Sequence, residues 1–167
     1  NISGLYTTLP PLLRGLPVIL LERFSLEAWH EYVLRYRPTV SGLPPAAFKM
    51  LLDTNIPKED LSSLRCMGAG AAPLDVATQI EFEHRYGIPI MMSYGATEFG
   101  GPVTRMTPQL LQQYGNSKTG SVGKAMDGVE LRIIDTETGK PVDTDRTGRL
   151  EVKVRRMGKH WIRTTDL

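Results

Sequence analysis

The sequence has little of the chemistry that would place it in a membrane, on nucleic acid or in an oxidising compartment. Its 167 residues contain one cysteine, Cys66, which excludes an intramolecular disulfide and provides no zinc-binding pair. No apolar run approaches the ~20 residues of a membrane span. The net charge is +2 and no run of Lys or Arg occurs, so nucleic acid is not favoured as a partner. The single cysteine is consistent with a reducing, cytoplasmic location.

The first two thirds of the chain alternate helical patterns with short apolar runs. Ser25 is a suitable N-cap, and the residues after it place Trp29, Val33 and Tyr36 on one helical face. We expect helices over 5–14, 26–36, around residue 48 and over 74–86, the last with Val76 and Ile80 on its apolar side. We expect strands at 17–21, 39–41, 64–67 and 88–92. Such alternation is typical of a parallel sheet covered by helices.

The pattern changes after about residue 114. Leu150, Val152 and Val154 alternate with polar residues, and the run from Val129 to Ile133 has the same period of two. This period predicts antiparallel strands that are half buried. The chain is therefore predicted to be α/β, with a mostly parallel sheet flanked by helices over residues 1–119. A small antiparallel, barrel-like β subdomain follows over residues 120–167.

The stretch from Ser93 to Glu98 carries the strongest chemical signal, directly after a predicted buried strand. The ring of Tyr94 can stack on a purine, and Gly95 lets a ligand approach the backbone closely. The Thr97 hydroxyl can donate to a phosphate oxygen, while the Glu98 carboxylate is an oxygen ligand suited to Mg²⁺. Together these residues predict a site for a nucleotide with its phosphates and a metal ion.

A second candidate lies at Gly68–Pro73, between a predicted strand and a predicted helix. Backbone N–H groups at such a junction can point at an anion or at the edge of a ring, and small residues allow close approach. By itself this glycine–alanine loop is a weak signal for a nucleotide.

The stretch at 93–98 resembles the YGxTE signature of the adenylate-forming (ANL) superfamily, which includes acyl-CoA synthetases, aryl-CoA ligases, luciferases and peptide-synthetase adenylation domains. Residues 68–74 resemble the GAAPL segment of that family. Further segments follow in the family's order at 120–130, 139–150 and 160–167, the last resembling GWxRTGDL. Two positions depart from the pattern: Arg149 stands where the family has Glu, and Thr165 stands where it has Gly.

The resemblance implies a role for each matching residue. Gly70, Ala71 and Ala72 would form a wall beside the adenine. Tyr94 would stack on the ring between Ser93 and Gly95, and Asp166 would accept hydrogen bonds from the ribose hydroxyls. Thr97 would contact phosphate and Glu98 would hold Mg²⁺, which makes this pair the catalytic candidates. Gly101, Pro102 and Val103 would line the pocket of the acid substrate, with Gly42 and Pro44 either further along it or in a plain turn.

The function implied is that of an ATP-dependent acid–CoA ligase of fatty-acid or aryl-acid type. Such an enzyme activates a carboxylate as an acyl-adenylate and passes the acyl group to a thiol, of coenzyme A or of a carrier protein. The family's phosphate-binding loop would lie before Asn1 and its C-terminal lid after Leu167. We therefore expect a fragment of the large N-terminal domain, inactive by itself. The spacing from Val154 to Trp161 is shorter than the resemblance implies, either because the chain has a deletion or because a loop is missing from this sequence.

Two alternatives remain open. The chain could be a non-catalytic module that uses an adenylation-like fold only for binding. It could also be a dinucleotide-binding oxidoreductase domain, on the strength of Gly68–Pro73. The second alternative requires an acidic residue at the end of the next strand. That strand instead ends at Met92–Ser93, with Glu83 still inside the preceding helix.

Overall fold

The structure is a computed structural model that describes residues 2–166, with side chains from residue 4 onward. In this range the α-helices are α1 (Ile2–Leu13), α2 (Leu26–Tyr36), α3 (Pro45–Leu52), α4 (Val76–Tyr86) and α5 (Pro108–Tyr114). The strands are β1 (Val40–Gly42), β2 (Cys66–Ala69), β3 (Ile90–Ala96), β4 (Gly101–Arg105), β5 (Lys124–Ala125), β6 (Val129–Ile134), β7 (Arg149–Val154) and β8 (Ile162–Arg163).

The strands form two sheets. The first has the order β1-β2-β3-β4-β5, in which β1, β2 and β3 are parallel and β4 and β5 are antiparallel to their neighbours. The second is the antiparallel sheet β6-β7-β8. The predicted α/β class with a following antiparallel sheet is confirmed. Strand β5 belongs to the first sheet although it follows residue 119, and the division at 119/120 stays a prediction.

The main core lies between the helices and one face of the first sheet. Phe48 of α3 meets Phe82 of α4 edge-to-face at 5.1 Å between ring centres, over the buried strand residues Met67 and Ile90. Helices α2 and α4 begin where side chains cap them. The Ser25 oxygen accepts from the Ala28 N–H at 3.1 Å, and Asp75 caps α4 in the same way.

Three expectations are wrong. Residues 17–21 form no strand, because the apolar run there finds no neighbour in the sheet. Val76 and Ile80 of α4 are exposed, since contact with Phe48 selects the face that carries Phe82. Tyr36 is exposed as well, whereas Trp29 is buried as expected.

A second, smaller core joins the two sheets. Phe99, between β3 and β4, and Val103 of β4 pack with Val152 and Val154 of β7, and all four side chains are almost completely buried. Because β7 is the central strand of the second sheet, this contact fixes that sheet against the end of the first.

Strand β7 also carries a buried carboxylate on its opposite face. Glu151 is 2% exposed and accepts hydrogen bonds from Arg132 at 2.9 and 2.6 Å and from Arg163 at 3.1 Å. The Arg132 guanidinium also lies 4.1 Å from the centre of the Trp161 ring. Hydrogen bonding from Arg132 lowers the pKa of Glu151, although burial acts in the opposite direction. The network therefore ties β6, β7 and β8 together.

The lowered pKa of Glu151 predicts a contact that is lost in acid. Its stabilisation is complete above the ordinary pKa of 4.5 and disappears as the pH falls through the lower pKa of the folded state. We expect Glu151→Gln to reduce the free energy of unfolding at neutral pH by about 1–3 kcal/mol. The variant should also lose less stability on acidification than the wild type. Urea denaturation at a series of pH values measures both effects.

Glu130 provides the matched control on the neighbouring strand. Its carboxylate is 61% exposed and pairs with Lys153 at 2.8 Å, so Glu130→Gln should change stability by less than about 1 kcal/mol. If stability fell with pH in Glu151→Gln as it does in the wild type, the proposed role of the Glu151 carboxylate would be contradicted.

Candidate functional site

A cavity of about 440 Å³ lies at the carboxyl ends of the three parallel strands. The chain that leaves these strands lines it with Gly42, Leu43, Pro44, residues 68–71, Ser93 and Gly95. Helix α1 adds Gly4, Tyr6 and Thr7, and strand β4 adds Gly101, Pro102 and Arg105. Open α/β sheets bind ligands outside the carboxyl ends of their strands, so this is where the fold favours a site.

Glycine is required at two points of the cavity wall. At Gly70 a Cβ atom would lie 2.8 Å from the Ser93 hydroxyl oxygen and 3.0 Å from the Ser93 carbonyl oxygen. At Gly95 it would lie 2.5 Å from the Cα atom of Pro102 on the paired strand. The neighbouring Ala71 has φ +66°, a left-handed conformation that is costly for a residue with a side chain. At these points the cavity wall consists of closely packed backbone, which a ligand can approach because no side chain intervenes.

Tyr94 and Asp166 meet beside this cavity. The Tyr94 hydroxyl donates a hydrogen bond to Oδ2 of Asp166, although the two residues are 72 positions apart. Burial raises the pKa of Tyr94, and the hydrogen bond and charge of Asp166 and the charge of Glu98 raise it further. The phenol therefore stays protonated at neutral pH and remains a donor.

The main chain of Asp166 is held by β7. Its carbonyl oxygen accepts from the Leu150 N–H at 3.1 Å, and its N–H donates to the Thr164 hydroxyl at 3.1 Å. Thr165 does not have a positive φ. The backbone at this position therefore does not require glycine.

Thr97 and Glu98 are exposed, and they lie on the short turn Thr97–Phe99 between β3 and β4. Within residues 4–166, no hydrogen bond or ion pair engages the Glu98 carboxylate. The described part of the chain contains no cluster of three or more His, Cys, Asp or Glu that could hold a metal alone. A single carboxylate still suits Mg²⁺, which keeps several waters and is commonly shared with substrate phosphates.

The predicted acid-pocket residues are divided between two places. Gly101 and Pro102 line the cavity, as do Gly42 and Pro44, and the Tyr6 ring packs directly on Gly101. Val103 points the other way and is fully buried in the core between the sheets. Its contact with a substrate stays a prediction, and the cavity lining does not include it.

The family of AMP-binding enzymes matches this chain over residues 1–159. The chain belongs to the AMP-binding enzyme family. It is 33% identical over 139 residues to 4-coumarate–CoA ligase-like 9 of Arabidopsis thaliana, covering 81% of this chain and 24% of the relative. It is 32% identical to luciferin 4-monooxygenase of Photinus pyralis, covering 90% of this chain and 26% of the relative. The chain thus spans about a quarter of the length of these curated relatives.

Solved structures share the fold. ATP-bound MatB from Rhodopseudomonas palustris matches with a TM-score of 0.82 and 28% identity, covering 92% of this chain and 29% of that chain. O-succinylbenzoate coenzyme A synthetase from Bacillus subtilis, in complex with AMP, matches with a TM-score of 0.74 and 27% identity, covering 92% and 30%. No helix within residues 2–166 combines the length and apolar character needed to cross a bilayer.

One residue that the AMP-binding motifs did not indicate is Arg156. Its Nε donates to the Phe99 carbonyl at 2.9 Å and its Nη2 donates to the Pro102 carbonyl at 2.8 Å. Its guanidinium also lies 5.9 Å from the centre of the Tyr6 ring. Arg156 belongs to the short connection after β7, so the unusual length of that connection was the only signal in the sequence.

We expect Arg156→Ala to loosen the turn between β3 and β4. Loss of two hydrogen bonds from a charged donor should reduce the free energy of unfolding by about 1 kcal/mol, since the guanidinium is exposed. Amide exchange at Gly100, whose N–H donates to the Thr97 carbonyl at 2.9 Å, should accelerate. Urea denaturation and hydrogen exchange measure these changes.

Arg155→Ala is the control, since that neighbouring arginine has the same charge and is also exposed, but its side chain makes no hydrogen bond in the described structure. Equal effects of the two substitutions would show that charge alone, and not the contact with the turn, is responsible.

Proposed function

We propose that this chain is the adenylate-binding part of an ATP-dependent ligase that activates a carboxylic acid and transfers it to a thiol. The observation that carries the proposal is the convergence of Tyr94, Asp166 and the unpaired carboxylate of Glu98 beside a cavity walled by backbone. Membership of the AMP-binding family supports it, and the names of several relatives include CoA ligase. The same membership argues against the dinucleotide-binding alternative.

In this proposal the nucleotide base lies between Tyr94 and the loop at 70–72. Stacking on an aromatic ring is worth about 1–3 kcal/mol per base. Ser93 and Gly95 complete this side of the site. Asp166 accepts from the ribose hydroxyls through Oδ1, for which the described residues provide no donor. The bond from Tyr94 to Oδ2 then orients the carboxylate for the sugar.

The first reaction step joins a carboxylate oxygen to the α-phosphorus of ATP and breaks the bond to pyrophosphate. A thiolate of coenzyme A or of a carrier protein then attacks the acyl carbonyl and AMP leaves. The Thr97 hydroxyl donates to a phosphate oxygen, and Glu98 would hold Mg²⁺, which neutralises phosphate charge when bound. The acid is already ionised at neutral pH, so the site needs positioning groups and no general base.

The acid lies in the cavity against Gly101 and Pro102, with Gly42 and Pro44 further along it. Fatty and aryl acids both fit this description. A cytoplasmic location is part of the proposal, on the strength of the single cysteine Cys66.

Calorimetric titration with AMP tests the nucleotide site. We expect Tyr94→Ala to weaken binding about tenfold or more, because the stacking face is lost. Tyr94→Phe keeps that face and should bind within about threefold of the wild type. Asp166→Ala should weaken AMP binding about tenfold through loss of charged hydrogen bonds to the ribose.

Equal loss in Tyr94→Phe and Tyr94→Ala would assign the effect to the hydroxyl and not to stacking. Absence of AMP binding by the wild type would contradict the proposed function. AMP binding without adenylate formation by the longer protein would favour a non-catalytic module.

A second titration, with ATP in the presence and absence of Mg²⁺, tests Glu98. The wild type should bind ATP more tightly with the ion, since the carboxylate and the phosphates share it. Glu98→Gln should abolish most of this difference and leave AMP binding unchanged. A magnesium effect that survives Glu98→Gln would place the ion elsewhere.

A further inference from the structure

Among the residues that the structure describes, Arg105 is the one formally charged residue that lines the cavity, and the others are uncharged. Arg105 is exposed, and none of the ion pairs or side-chain hydrogen bonds within residues 4–166 involves its guanidinium. Arginine stays protonated at any ordinary pH. The cavity therefore has a positive charge that no carboxylate of the described chain compensates.

The strand register places this charge at one end of the cavity. Arg105 is opposite Ser93 on β3, which also lines the cavity, and it ends strand β4, which begins at Gly101. At the rise of an antiparallel strand, the four steps from Gly101 to Arg105 span about 13 Å. The backbone of Arg105 is thus separated along β4 from that of Gly101, against which the acid is proposed to lie.

The chemistry of guanidinium indicates what this charge binds. Its planar donors match a carboxylate, and such charge-assisted hydrogen bonds are among the strongest in proteins. An unpaired cation in a cleft of neutral walls also raises the local concentration of anions. A fatty or aryl acid with an apolar tail would leave the donors of Arg105 with water as their acceptor, whereas a second carboxylate would supply a charged one.

We propose that Arg105 is a specificity-determining residue that binds a second carboxylate on the acid being activated. The substrate is then a dicarboxylic acid, with one carboxylate at the adenylation site and the other at Arg105. This inference rests on the proposed function and specifies its substrate class.

The test is calorimetric titration of the chain with two non-hydrolysable acyl-adenylate analogues. One carries a terminal carboxylate on the acyl chain, and the other carries a terminal primary amide of the same shape. We expect the wild type to bind the carboxylate analogue about tenfold more tightly, and raised salt to diminish the preference. Arg105→Ala should abolish the preference, whereas Arg105→Lys should keep part of it.

Lys124→Ala is the matched control. Lys124 is the cross-strand neighbour of Arg105, but its Nζ lies 5.3 Å from the centre of the Tyr114 ring and it does not line the cavity. This variant should keep the full preference for the carboxylate analogue. Thermal denaturation of each variant verifies that the fold is intact.

AMP titration of the same variants separates this inference from the proposed function. Unchanged AMP binding together with equal binding of the two analogues by the wild type would overturn the role of Arg105 alone. Weaker AMP binding in Arg105→Ala would assign the cation to the nucleotide and would also overturn it. Failure of the wild type to bind AMP would overturn both proposals together.

Discussion

The site depends on the packing of Phe99 and Val103 against Val152 and Val154, because this contact joins the two sheets. Complete burial of such side chains is worth about 1.5–3 kcal/mol each, far more than an exposed polar contact. Tyr94 extends from the first sheet and packs partly against the same cluster, with its ring 6.1 Å from that of Phe99. Asp166 follows the second sheet. The hydrogen bond between them can form only while the hydrophobic contact holds the sheets in place.

Strand β4 combines several tasks in five residues. Gly101 and Pro102 form cavity wall, and Val103 anchors the sheet–sheet contact. The Thr104 hydroxyl accepts from the Tyr94 N–H at 3.3 Å, across the irregularity in strand pairing at Tyr94 and Gly95. Arg105 returns to the cavity. The register shift and the positive φ of Gly101 allow this change of direction, which simple alternation along a strand would not give.

Local patterns predicted the parts of the fold that local physics decides. The cap at Ser25, the existence of a strand leading into Ser93 and the antiparallel pair β6–β7 follow from spacing and turn residues, although that strand runs over Ile90–Ala96 and not over 88–92. The strand predicted at 17–21 was wrong, because a short apolar segment does not by itself reveal whether a partner strand exists. Glu151 illustrates the same limit. Its polar character does not indicate burial, and the arginines that stabilise it come from two other strands.

The contacts of Arg156 have a consequence for the site. Its guanidinium donates to main-chain carbonyls on both sides of Gly100 and Gly101. The segment that follows β7 is therefore bonded to the backbone of the turn and not to its side chains. Glu98 lies immediately before this hydrogen-bonded segment, and the cavity-lining residues Gly101 and Pro102 lie within it. A displacement of the second sheet would therefore move the proposed magnesium ligand and the proposed acid pocket together. Because both acceptors are backbone atoms, this coupling does not depend on which side chains occupy the turn, provided that Gly100 keeps its left-handed conformation.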